Sequence, residues 1–166
     1  MTRRPAATAT AMATAMALAA LPSGAALARA PAHPQLWATI NVCDPPARPG
    51  AVGVRISIPR EKGAPRQWAR IRLQFFDGRA WHRVRAGGDT GFARYGIGTR
   101  LVQGGTTFTF PSPAAGSRLV LRGLVDVEWR RGTTVVDRAQ LRTTAGHADP
   151  NDRTLRQSGA TCVIKR

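Results

Sequence analysis

R-L-V-L-R-G-L-V-D-V-E-W-R, residues 118–130, is the stretch whose reading decides the fold. Leu119, Leu121, Val125, Val127 and Trp129 fall at odd positions, and Arg122, Asp126, Glu128 and Arg130 at even ones. Period two places the apolar side chains on one face and the charged ones on the other. Such a strand needs a core on one side and water on the other, which is the demand of one layer in an antiparallel two-sheet sandwich.

Neighbouring segments repeat the pattern. Residues 36–43, L-W-A-T-I-N-V-C, read as a first strand, and residues 52–58, V-G-V-R-I-S-I, as a second. Between them, residues 44–50 hold three prolines and a glycine, which exclude regular pairing. Residues 67–76 form a third strand, with Ile71, Leu73 and Phe75 inward and Arg70, Arg72 and Gln74 outward. Asp77-Gly78 tolerates positive φ and turns the chain into a fourth strand at residues 80–85. Residues 86–98 contain five glycines and read as a long loop, with Phe92 and Tyr95 packing down onto the sandwich. Residues 99–103 and 106–110 read as short strands flanking a Gly104-Gly105 turn. Residues 133–144 return antiparallel to 118–130; Val135, Ala139 and Leu141 align if Asp137 shares their face or if a bulge intervenes. Residues 145–158 read as a polar loop, and residues 160–164 close the sheet beside the first strand. No helical period and no repeat is present. The fold class is all-β, an antiparallel immunoglobulin-like sandwich of about seven to nine strands.

Residues 1–28 do not belong to this domain. Arg3 and Arg4 precede an uncharged Ala/Thr/Met/Leu run, and Ala26-Leu27-Ala28 fits a small-x-small cleavage site before Arg29. This is a secretory leader; Pro5-Ala6-Ala7 lacks the apolar residues of a twin-arginine signal. Residues 29–166 are then a single exported domain with no later transmembrane span. The chain has two cysteines, and an oxidising destination favours a Cys43–Cys162 disulfide joining the first and last strands. No C-x-x-C spacing suggests redox work.

The formal charge is +16, and losing Arg3 and Arg4 with the leader leaves +14, because all nine acidic residues follow residue 28. All basic residues but Lys62 and Lys165 are arginine. An Arg-rich exported domain attracts anionic polymers, though GC-rich coding yields the same composition. Candidate anion-binding residues are Arg70, Arg72, Arg83 and Arg85 on the third and fourth strands, with Trp68, Gln74 and His82 available to interleave. Nucleic acid is the less favoured polymer.

Catalytic and metal constellations are not legible. His33, His82 and His147 have no ligand-spaced neighbours, and no serine lies in a nucleophile elbow. Asp126 and Glu128 are the one tight carboxylate pair, but Arg122 and Arg130 flank them, so they read as a charge ladder. Asp149, Asn151 and Asp152 lack the glutamate that completes a calcium loop. No catalytic, cofactor or metal residue is assigned. The glycine pairs match no phosphate-binding loop.

N-V-C-D at residues 41–44, V-G-V-R at 52–55 and L-R-G-L-V-D-V-E-W at 121–129 resemble small exported β-sandwich proteins of actinobacteria. The resemblance implies an immunoglobulin-like or fibronectin-III-like sandwich and no particular reaction. The expected function is a secreted, non-catalytic sandwich that binds an anionic cell-surface polymer through a basic face. The alternatives are a cell-wall-associated hydrolase using Asp126 and Glu128, and an accessory protein docking another envelope protein.

Overall fold

The computed structural model describes residues 33–97, 101–111, 113–149 and 156–166. The leader and the loop residues Asn151 and Asp152 lie outside them. Among the described residues nine strands form: β1 (Trp37–Cys43), β2 (Ala51–Ile58), β3 (Arg66–Phe76), β4 (Trp81–Arg83), β5 (Asp89–Ile97), β6 (Val102–Thr109), β7 (Arg118–Arg131), β8 (Thr134–Arg142) and β9 (Cys162–Lys165). One sheet has the order β1-β2-β6, and the other β4-β3-β7-β8, with β5 also on β3 and β9 also on β7. Every pairing is antiparallel. β1, β2 and β6 make one antiparallel layer, and β3, β7 and β8 the centre of the other.

The decisive stretch is the axis of the larger sheet. β7 pairs with β3 along the full length of β3, from Arg66↔Arg130 to Phe76↔Val120. Its inward row of Leu121, Val125, Val127 and Trp129 is at most 1% exposed. It packs with Ile71 and Leu73 of β3 and Val54 and Ile56 of β2 into one core. Each such aliphatic side chain stabilises the fold by about 1.5–3 kcal/mol. Trp129 finds a partner for its indole N–H by donating to the Pro59 carbonyl at 2.7 Å, as a buried tryptophan requires.

Gly123 interrupts the inward row where the partner of β7 changes from β8 to β9. A Cβ there would lie 2.7 Å from Thr143 Cγ2. Thr143 Oγ1 accepts from Gly123 N at 3.0 Å and donates to the Ala160 carbonyl at 2.6 Å. The chain then crosses to the other sheet, where Thr144 N donates to the Ala38 carbonyl at 2.8 Å. Returning, Gly159 bridges Ile40 on the free edge of β1. On the way, His147 stacks on Trp37 and its carbonyl accepts from Arg55, and all eight residues of β2 are buried, Arg55 and Ser57 included.

The Cys43–Cys162 disulfide forms. β9, however, is not beside β1: it pairs with β7 from Arg118↔Lys165 to Leu121↔Cys162. The disulfide therefore ties the two sheets together, because Gly159 already occupies the edge of β1.

Two further segments differ from the sequence reading. Residues 89–97 are a strand, not a loop, with Phe92 opposite Arg70 and Arg94 opposite Trp68. Two register shifts absorb the irregular spacing, and the glycines serve its ends, Gly87 and Gly91 having positive φ. Gly104-Gly105 is not a turn but lies inside continuous β6, opposite Ile56 and Arg55. A Cβ at Gly104 would sit 2.7 Å from the Tyr95 ring, and one at Gly105 would sit 2.3 Å from the Val54 carbonyl oxygen. Close approach, rather than turning, is what these glycines provide. In β8 both proposed devices occur: Asp137 faces inward opposite Trp129, and a register shift leaves Val136 without an opposite residue.

Candidate functional site

The outward residues of the larger sheet form one continuous polar face. Because β3 and β7 are register partners, the arginines of β3 and the acids of β7 are neighbours, with Arg70 directly opposite Asp126. The two features that looked separate in the sequence are thus one surface.

Each carboxylate on this face is saturated. Asp89 accepts from Arg70 Nε and Nη2 at 2.8 and 2.5 Å and from Arg83 Nη2 at 2.8 Å. The Arg70 guanidinium, foremost, holds the Asp89 carboxyl well below the usual carboxylate range. Asp126 accepts from Arg72 and, at 2.6 Å, from Gln140 Nε2. Glu128 takes Arg130 Nε at 2.8 Å and an ion pair with Arg138 at 3.3 Å. Five arginines thereby consume three acids.

Arg94, Arg122 and Arg142 share the face and make no ion pair among the described residues. Arg122 donates to Gln74 Oε1 at 2.9 Å and lies over the Trp81 ring, 4.0 Å from its centroid. Partial burial, then the neighbouring positive charge of Arg142, pushes its pKa down. Arg130 is similarly held against Trp68 and Phe92, at 4.4 and 5.4 Å. Planar cations backed by aromatic rings keep an orientation suited to anionic oxygens.

The candidate arginines divide. Arg70, Arg72 and Arg83 come together, but as partners of Asp89 and Asp126. Arg83 lies opposite Gln74, and β4 ends there, so Arg85 falls beyond the ladder. His82 faces inward, opposite Phe75, and does not interleave with the arginines. Arg94, Arg122 and Arg142 were missed as anion-binding residues, because only the strand pairing places them on one face.

Asp126 and Glu128 border a shallow depression of about 480 Å³ with Arg70, Arg72, Arg138 and Gln140. No histidine lines it, and both acids are engaged as above. A different cluster meets the bare requirements of a cation site: His33, Glu61 and Asp137 offer atoms within 4.8 Å of one another. There, Asp137 sits 3.0 Å from Nε2 and Glu61 3.7 Å from Nδ1 of the same ring. The carboxylates occupy opposite nitrogens, which satisfies the imidazole and pins it over Trp129 at 4.4 Å. That arrangement fastens the chain ahead of β1 rather than framing one open coordination position.

The fold and surface together define a disulfide-closed antiparallel β-sandwich with an arginine-rich outer face. In comparison with known proteins, no family model, no curated protein and no solved structure matches the chain.

Proposed function

We propose that residues 29–166 form an exported, non-catalytic sandwich that binds an anionic cell-surface polymer through the outer face of the larger sheet. The observation that carries this reading is the charge count on that face among the described residues: ten arginines against three carboxylates, with Arg66, Arg94, Arg118, Arg122 and Arg142 making no ion pair there. Positive charge at that density draws polyanions and raises their local concentration. The aromatic backing of Arg122 and Arg130 supplies a semi-rigid platform for repeating anionic groups. The leader-like residues 1–28 and the likeness to exported actinobacterial sandwiches belong to the same reading.

The centre of the site moves from Arg70, Arg72, Arg83 and Arg85 to Arg122 and Arg142. The first three of the original set already have carboxylate partners. Binding of poly(glycerol phosphate) and of polygalacturonate, measured at graded salt, tests the proposal. Affinity falling steeply with salt supports it, because released counterions drive the association. Absence of binding, or binding indifferent to salt, overturns it.

A further inference from the structure

A second surface lies at one end of the same sheet, on its inner side. Across that end runs the row His82, Phe75, Leu121, Cys162, each residue directly opposite the next. Burial declines along the row. Cys162 and Leu121 are 0% and 1% exposed, Phe75 is half-buried and His82 is exposed. The cause is architectural. The facing sheet has three strands, and the disulfide draws its β1 edge over the Cys162 end. Among the described residues, nothing of equal width covers the β4 end.

The uncovered part is an open cavity of about 570 Å³. Phe75, Val84, Phe110, Leu119 and Leu121 form its apolar walls. His82, Arg83 and Arg85, all exposed, complete its lining at the solvent side. This volume lies within the range of roughly 300–1,000 Å³ typical of small-molecule sites, and mostly apolar walls with a few polar groups are their usual make-up. His82 is held by Asp77 at 2.6 Å and Arg83 by Asp89 at 2.8 Å. Arg85 makes no ion pair among the described residues. One unpaired guanidinium therefore stands beside an apolar chamber.

We propose that this cavity binds a single-chain anionic amphiphile. Its acyl chain lies against Phe75, Phe110 and Leu119, and its carboxylate or phosphate head pairs with Arg85. A cationic amphiphile would meet three basic side chains at the entrance. A neutral one would leave Arg85 without its counter-charge. A planar guanidinium suits either anionic head.

Calorimetric titration of the purified chain tests this with dodecanoate, dodecyl phosphate, dodecanol and dodecyltrimethylammonium, each below its micellar concentration. Dodecanoate or dodecyl phosphate binds saturably at one site. Dodecanol binds about tenfold more weakly and the cation does not bind. Comparing the two anions distinguishes a carboxylate source from a phosphate source. Arg85→Glu lowers anion affinity by about tenfold or more. Arg60→Glu makes the same charge change at the opposite end of the sandwich and leaves the affinity unchanged. Leu119→Trp fills the cavity and removes binding; should that variant fail to fold, Arg85→Glu against Arg60→Glu decides. Equal binding of the cation, unsaturable uptake, or equal losses in the two arginine variants overturns the proposal.

Discussion

Arg142 lies diagonally across the β7–β8 ladder from Arg122, with its charge near enough to disfavour that of Arg122 and no carboxylate paired to either. Every acid on the same face is already held by an arginine. An anionic group placed between the two would relieve a repulsion that the protein itself leaves uncompensated.

The double substitution Arg122→Gln/Arg142→Gln should therefore weaken polyanion binding by about tenfold or more, as expected for losing charge-assisted contacts. It should also flatten the salt dependence of binding. Arg70→Gln, which frees Asp89 from its main partner, should weaken binding less per charge removed. Affinity measured at several salt concentrations reads both effects.

The disulfide joins the two sheets and closes a loop of 119 residues. Replacing Cys43 and Cys162 together by alanine should cost about 4–5 kcal/mol of stability on the chain-entropy account. Denaturant unfolding of the double variant against the oxidised parent measures it. Adding reductant to the parent should reproduce the loss.

Gly105→Ala should destabilise the fold by about 1–3 kcal/mol, the usual cost of overpacking a filled site. The new Cβ would meet the Val54 carbonyl oxygen at 2.3 Å, a backbone atom that cannot swing aside. Gly78→Ala places its Cβ in open space but at φ +102°, so any loss there is conformational. Thermal unfolding of both variants separates the contact cost from the turn cost.

Acid should destabilise the protein in a defined window. Arg166, and after it the Gly50 amide, lowers the pKa of Asp44 to about 2 from 3.8. The amides of Ala80 and Arg79 lower that of Asp77 to about 2. A depressed carboxylate stabilises the native state above its unfolded pKa and loses that contribution as pH falls towards the folded value. The melting temperature should thus drop between about pH 4 and pH 2, and Asp44→Asn and Asp77→Asn should each flatten the slope there.

The strand at Arg118–Arg130, the Asp77-Gly78 turn and the cysteine pair were legible because each is a local or pairwise signal. Alternation names a strand, a residue pair tolerant of positive φ names a turn, and two cysteines allow one intramolecular bridge. β5 was not legible as a strand, because glycines and two register shifts break its alternation; β6 was not legible as one continuous strand, because Gly104 and Gly105 admit a neighbour's ring and carbonyl, and contacts of that kind are invisible along the chain. The His33 clasp was hidden for the same reason, with Asp137 104 residues away in sequence. The unpaired arginines emerge only once β3, β5, β7 and β8 are set in register. Before that, Arg122 looked like a flanking partner of Asp126, whereas it bonds Gln74 and stacks on Trp81.

The most direct test is to map amide and side-chain chemical-shift changes as poly(glycerol phosphate) is added to the isotope-labelled protein. The account predicts changes centred on Gln74, Trp81, Arg122 and Arg142, vanishing at high salt. Changes centred instead on the β1-β2-β6 sheet around Trp37 and Arg55, or spread evenly over the surface, would contradict it.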